Sequence, residues 1–444
     1  GNQDRTHIFD LRIAKPDLLY EEVIEVDERI VLTQNQRILP PHVKVIQGIT
    51  GEEVYIEKPL NVDALKPALK NVLDNGIDSI AVVLMHAYIY PGHELAIGKL
   101  AEELGFTQIS LSSQVMPVAK LVARGDTTMV DAYLNPHIKS YLKTFQNGFS
   151  DQLKNTQLLF MQSDGGLSSP HDFTGSRAIL SGPAGGVVGY ALTTINHEKN
   201  RPVIGFDMGG TSTDVSRYGG KYELTFETQI AGVRIKAPQL HIKTVAAGGG
   251  SRLFFDNGMF LVGPESSGAH PGPVCYRKNG YLSLTDANLI LGRLQPEYFP
   301  NIFGPKENQP LDLSASNAAM SKLTEEINLY YKKRDSSPLS VEQAALGYIR
   351  GANEVMIRPI KEISVMRGFD IKEHILATFG GAGAQHACAI ARGLGLSNIF
   401  IHRFSGILSA YGIGLADVVV EKQCPRAGEY NKANLKPLLD QMAA

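Results

Sequence analysis

At 444 residues, with 43% hydrophobic and 20% charged residues, the chain has a globular composition and is long enough for two or more domains. A formal charge of -2 argues against nucleic acid as a partner, and no apolar run reaches the roughly 18 residues of a membrane helix. Three scattered cysteines without a CxxC pair exclude a disulfide framework, and GNQDRTHIFD at the start lacks a signal-peptide core, so a cytoplasmic setting is expected.

In chain order, residues 28 to 58 alternate between apolar and polar, with Gly48 and Gly51 at turn positions, and predict extended structure. Leu65, Leu69, Val72 and Leu73 recur at helical spacing up to Gly76, followed by the buried-strand run 80 to 85. A second helix runs through Leu95, Leu100 and Leu104 to Gly105, and Gln108 to Leu111 reads as the next strand. This βαβ order predicts a mainly parallel sheet. Residues 126 to 155 read as helical, 158 to 161 as a strand ending at SDGG, and a helix is expected after SGPAGG. The run Val203 to Phe206 reads as a strand that delivers DMGGTSTD, with hairpin strands following at 221 to 228 and 232 to 236. The Gly- and Pro-rich stretch 246 to 310 is expected to be dominated by loops. Helices are predicted from 314 to 333 and from Ser340, where Gln343 completes a capping box. Residues 374 to 379 form a last strand, Gly380 to Gly383 a turn, and 385 to 392 a helix.

Five glycine-rich corners stand out: SDGG (163 to 166), SGPAGG (181 to 186), DMGGTSTD (207 to 214), AAGGGSR (246 to 252) and FGGAGAQH (379 to 386). Glycine lets backbone amides approach an anion without a Cβ in the way, and a following helix N-terminus adds its dipole, so phosphate is the expected guest. Taken singly, each Gly-Gly pair also reads as a plain tight turn. Established nucleotide fingerprints are absent: Gly92 to Lys99 has the wrong spacing for a P-loop and is followed by Leu100, and neither GxGxxG nor the nucleophile elbow GxSxG occurs.

DMGGTSTD has a more specific reading. An acidic residue leaving a strand, then Gly-Gly and Thr, sets amides and a hydroxyl on a terminal phosphate while the carboxylate holds hydrated Mg²⁺ or orients water. Asp207 is then the Mg²⁺ or water partner, Gly209, Gly210, Thr211 and Ser212 face phosphate, and Asp214 supports the turn or the groups around the metal, which makes Asp207 and Asp214 the candidate catalytic pair. Gly248, Gly249, Gly250 and Ser251 of the fourth corner and Gly380, Gly381 and Gly383 of the fifth complete the expected nucleotide contacts. The competing reading has Asp207 and Asp214 capping the turn, with Thr211 and Thr213 as ordinary strand residues. Weaker candidates are a zinc site from Cys275, His270, His241 and His386, turn-capping or substrate roles for Asp164 and Asp286, and a polar patch at His86 and His93.

The motifs RGDTTMVDAYLNP (124 to 136), MQSDGG (161 to 166), SGPAGGVVG (181 to 189), FDMGGTSTDVS (206 to 216), TVAAGGGS (244 to 251), VGPESSGAHPGPVCYRKNG (262 to 280), LTDANLILGRL (284 to 294) and ATFGGAGAQHACAIARGLG (377 to 395) resemble, in order, those of the hydantoinase/oxoprolinase family. GAGAQHACAIAR, IHRFSGILSAYG and LADVV are most similar to its ATP-dependent 5-oxoprolinase branch. The resemblance implies an α/β actin-like ATPase (ribonuclease H-like) fold, with mixed sheets flanked by helices and two lobes around a nucleotide cleft. It divides the chain into the remainder of an N-terminal domain (1 to 120), an A-type core (121 to 422) and the start of a C-terminal region (423 to 444). It implies ATP and Mg as cofactors and a cyclic amide, 5-oxoproline, as the small-molecule substrate, opened to glutamate as ATP is cleaved. Phosphorylation of an unstrained lactam at its carbonyl oxygen supplies both electrophile and driving force, a task of positioning and charge neutralisation. Family members open with an earlier acidic-Gly-Gly-Thr corner, and none precedes residue 163 here, so a truncated fragment is expected whose partners are the missing A-type and B-type regions. A homo-oligomer is compatible with this. The rival expectations are a ketone- or bicarbonate-phosphorylating carboxylase subunit and a non-catalytic nucleotide-binding module.

Overall fold

In the computed structural model the described residues are 17 to 35, 43 to 195, 201 to 230, 232 to 429 and 432 to 443. The first sixteen residues of the expected N-terminal domain lie outside them.

Two small sheets occupy the N-terminal part. The alternating segment gives an antiparallel sheet in which Glu53–Lys58 lies between Arg29–Leu32 and Val45–Gln47. The βαβ reading holds for Ser79–Val82 and Gln108–Leu111, which pair in parallel around the helix Gly92–Leu104, with the helix Val62–Asp74 packed on them. Gly76 and Gly105 end these helices at φ +90° and +100°, a backbone region that costs glycine least. The parallel sheet stops at two strands, because the expected third, 158 to 161, is reduced to Phe160–Met161 and turns back on Leu167–Ser168. The long helix Leu121–Asn147 buries its first half, from Ala123 to Asn135.

The main sheet has five strands in the order Ile242–Val245, Thr213–Tyr218, Val203–Met208, Ile375–Phe379 and Asn398–Phe400. The first three are antiparallel neighbours; the last two run parallel to Val203–Met208 and to each other in turn. Each face is buried, which is why Val203 to Phe206 and Ile375 to Phe379 read as continuous apolar runs. Ile204, Phe206, Met208 and Val215 pack with the helices Val341–Ile363 and Gly383–Leu394. Val203, Tyr218, Ala377 and Phe379 pack on the opposite face with the helix Ser181–Ile195. Alternation therefore assigns Gly205 and Asp207 to that second face.

Helix starts follow the predicted chemistry. Ser340 accepts from the Gln343 amide at 3.2 Å and the Gln343 side chain accepts from the Ser340 amide at 2.8 Å. The stretch 246 to 310 is more ordered than expected: Ser251–Asp256 and Met259–Ser266 form a hairpin, and Leu284–Ile290 a helix. Asn257 and Gly258, at φ +48° and +90°, make the hairpin turn, an Asn-Gly signal outweighed in sequence by the surrounding glycines and prolines.

Candidate functional site

The strand Val203–Met208 carries Asp207 to its C-terminal end, turns through Gly209 to Ser212, and returns with Asp214 directly opposite Asp207. The turn is closed by the Gly209 amide donating to the Ser212 carbonyl at 3.0 Å. Thr213, which begins the return strand, is buried and donates to the Ala247 carbonyl at 2.5 Å, so it has the structural role left open for it. Gly210 and Thr211 are exposed, and among the described residues their amides meet no protein acceptor.

Two further glycine corners converge on this turn. The Gly249 amide donates to the Gly209 carbonyl at 3.0 Å and the Gly250 amide to the Gly210 carbonyl at 2.6 Å. A Cβ on Gly248 would lie 2.7 Å from the Gly210 carbonyl and the Ser212 nitrogen, so this approach requires glycine. The Gly249 carbonyl is held by Thr285, whose amide and hydroxyl each donate to it at 2.8 Å. On the other side the Ala382 amide donates to the Met208 carbonyl at 2.9 Å, and Gly380, at φ +81°, abuts the Asp207 carboxylate. Gly249 and Ala382 face each other, 3.5 Å from an ideal Cβ on the glycine to that of the alanine.

The roles divide once the amides are counted. Those of Gly249 and Gly250 are taken by the turn, that of Gly248 by the Ser251 hydroxyl at 2.9 Å, and that of Ser251 by the Gly248 carbonyl. These four residues are buried, so the fourth corner is a buttress behind the turn and not an anion seat. Gly381, Gly383 and Ala384 are different: among the described residues their amides have no protein acceptor, and they start the helix Gly383–Leu394. That start lies beside the Asp207 end of the sheet, where its dipole favours negative charge.

The carboxylate pair sits at the edge of the buried face. Burial, and then the charge of Asp214, raise the Asp207 pKa to about 6. Burial also raises that of Asp214, opposed by a hydrogen bond from the Thr244 hydroxyl at 2.5 Å. Ser409 donates to Asp207 Oδ2 at 3.5 Å from the short helix Leu408–Ile413. Asp207 and Asp214 each receive a side-chain hydroxyl from another element, and among the described residues neither accepts an amide of the turn.

The other two corners do not join the site. In SDGG, Asp164 accepts from the Gly166 amide at 2.8 Å in a hairpin turn surrounded by Leu240, Val188 and Val419. In SGPAGG, the glycines lie inside the helix Ser181–Ile195, where a Cβ on Gly185 would meet the Ser409 carbonyl at 2.7 Å and one on Gly189 the Leu408 carbonyl at 2.6 Å. They serve helix-to-helix approach. Asp286 is wholly structural, accepting from the amides of Val274, Cys275 and Ser283 and the hydroxyls of Ser283 and Ser316.

The zinc expectation fails. Cys275 is packed among Leu289, Leu294, Phe303 and Leu311, with burial pushing its thiol up. His386 is buried between Asn288 and Asn353, its pKa lowered by burial to about 4, and His241 lies beside Glu223 and Arg367. Among the described residues no three His, Cys, Asp or Glu are grouped to hold a metal. His93 pairs with Glu28 at 2.7 Å, and burial lowers the His86 pKa. A cavity of about 1190 Å³ in the N-terminal part, lined by Leu65, Val82, Leu84 and Met129, includes none of the converging residues. Sequence reasoning missed Thr244, Thr285 and Ser409, which lie outside the Gly-Gly pairs; TVAAGGGS, LTDANLILGRL and GILSAYG carried them only as parts of longer motifs.

The hydantoinase/oxoprolinase family model matches residues 124 to 422, and the model of the family's N-terminal region matches residues 1 to 105. The chain belongs to the hydantoinase/oxoprolinase family. It is 56% identical over 437 residues to 5-oxoprolinase 1 of Arabidopsis thaliana, covering 98% of this chain and 34% of that protein. It is 53% identical over 453 residues to 5-oxoprolinase of Dictyostelium discoideum, covering 98% of this chain and 36% of that protein. Among solved structures, the ATP-dependent caprolactamase from Pseudomonas jessenii superposes with a TM-score of 0.70 at 28% identity, over 94% of this chain and 57% of that one. The chain thus spans about a third of the length of these curated relatives. Among the described residues no helix is long and apolar enough to cross a membrane.

Proposed function

We propose that this chain is the nucleotide-binding part of an enzyme that opens 5-oxoproline to glutamate at the expense of ATP. The observation that carries the reading is the convergence of the Gly209–Ser212 turn and the Gly380–Gly383 corner, each with amides that have no protein acceptor among the described residues, beside a half-buried carboxylate. Identity above 50% to two proteins named 5-oxoprolinase supports the substrate, and the likeness to an ATP-dependent lactam-opening enzyme supports the nucleotide. The finer fold reading, an actin-like ATPase with two lobes around a cleft, belongs to the same proposal.

In this reading Gly210 and Thr211 amides and the Thr211 hydroxyl hold the terminal phosphate, and Gly381 and Gly383 at the helix start hold the nucleotide side. Asp207 would hold hydrated Mg²⁺, which would supply positive charge against the phosphates. The terminal phosphoryl passes to the lactam oxygen, breaking the bond to ADP; water then adds at the activated carbon, the C–N bond opens as the nitrogen takes a proton, and a second water releases phosphate from the resulting acyl phosphate. Asp214 keeps Asp207 in register, and the Gly248–Ser251 buttress keeps the turn shaped before nucleotide arrives. The test is whether the full-length protein releases glutamate from 5-oxoproline only when ATP is supplied. Release without ATP, or ATP-dependent use of a ketone and bicarbonate in place of 5-oxoproline, overturns the assignment.

A further inference from the structure

Thr244, Asp214 and Asp207 form one continuous row across three strands: Thr244 is opposite Asp214 and Asp214 opposite Asp207. Residues opposite each other on neighbouring antiparallel strands share a face, so the three side chains are neighbours. The Thr244 hydroxyl donates to Asp214 Oδ1 at 2.5 Å, and at the far end of the row Ser409 donates to Asp207 Oδ2 at 3.5 Å. Each carboxylate thus has one oxygen drawn outward, and among the described residues Asp214 Oδ2 and Asp207 Oδ1 accept no hydrogen bond.

Two carboxylates held opposite each other repel, which pushes the Asp214 side chain away from Asp207 and toward the edge strand that carries Thr244. No cation on the row opposes that motion: Lys243 is opposite Val215, on the other face, and the polar group from the packed helix Leu408–Ile413 is the neutral Ser409. We propose that Thr244 is a positioning residue of the acidic pair, its hydroxyl fixing the Asp214 side chain so that the free oxygens of Asp214 and Asp207 stay on the phosphate side. Thr244 acts through Asp214 and need not touch nucleotide or lactam. This rests on the reading of the site given above.

Valine keeps the β-branched shape that suits a strand and removes only the hydroxyl; serine keeps the hydroxyl. In the full-length protein Thr244→Val is expected to lower kcat about ten-fold, as for loss of one hydrogen bond to a charged group, with KM for ATP within about two-fold. Thr244→Ser is expected to restore kcat to within about three-fold of the parent. A second readout is independent of turnover: in the 444-residue chain carrying ¹³C-carboxyl aspartate, the Asp214 resonance, assigned by its loss in Asp214→Asn, shifts in Thr244→Val and returns in Thr244→Ser. An unmoved Asp214 resonance in Thr244→Val, or serine behaving like valine, overturns the proposal. If the parent protein hydrolyses no ATP, the functional reading fails, and the resonance test still decides the role of Thr244.

Discussion

Asp207 is the residue on which fold and chemistry pull in opposite directions. Its side chain is placed where burial and the facing Asp214 favour the protonated form, with a pKa of about 6 against an ordinary 3.8. Because the folded-state value is raised, the stabilising contribution is fully present below about pH 4 and is lost as pH rises through 6. Asp207→Asn is therefore expected to be more stable than the parent near pH 8 by roughly 3 kcal/mol and equal to it near pH 4, read from denaturant midpoints at the two values. The same variant is expected to lower ATP turnover in the full-length protein by at least about a hundred-fold. An active variant with unchanged stability would remove Asp207 from the site.

At the scale of elements, glycine does two different jobs in motifs that look alike. In SGPAGG it allows the helices Ser181–Ile195 and Leu408–Ile413 to touch through backbone; in AAGGGSR it allows one corner to brace another. Gly248→Ala would place its Cβ 2.7 Å from the Gly210 backbone. We expect a loss of about 1–3 kcal/mol in stability, with Mg-ATP binding by calorimetry weakened at least about ten-fold because the displaced turn presents its amides wrongly. Ser340→Ala is the matched control: it removes a capping box far from the turn in sequence and is expected to cost about 1 kcal/mol in stability while leaving Mg-ATP affinity unchanged. Equal affinity loss in both variants would mean that the calorimetry reports general unfolding.

For the whole molecule, the five-stranded sheet is a platform with both faces buried, and the glycine corners gather at one end of its strands. Ligand that binds only the folded chain stabilises it by mass action, so Mg-ATP at about a hundred times its Kd is expected to add about 2.7 kcal/mol to the unfolding free energy. Asp207→Asn and Gly248→Ala are expected to lose about half of that increment or more, while a substitution at Cys275 or His270, which the tertiary structure removes from any metal group among the described residues, is expected to keep it.

Periodicity and turn chemistry by themselves determined most of the elements: the strands 203 to 208 and 375 to 379, the capped helix at Ser340 and the helix ends at Gly76 and Gly105 were legible because local sterics and hydrogen bonding dictate them. Three glycine corners belonging together could not be read locally, since a Gly-Gly pair looks the same whether its amides face an anion, another turn or a helix. Tertiary packing decided that. It spent the amides of Gly249 and Gly250 on the Gly209–Gly210 turn, left those of Gly210, Thr211 and Gly381 without an acceptor among the described residues, and brought Thr244 and Ser409 onto the carboxylates from a strand and a helix distant in sequence. A backbone amide has one hydrogen to give, and only the folded chain determines which acceptor receives it.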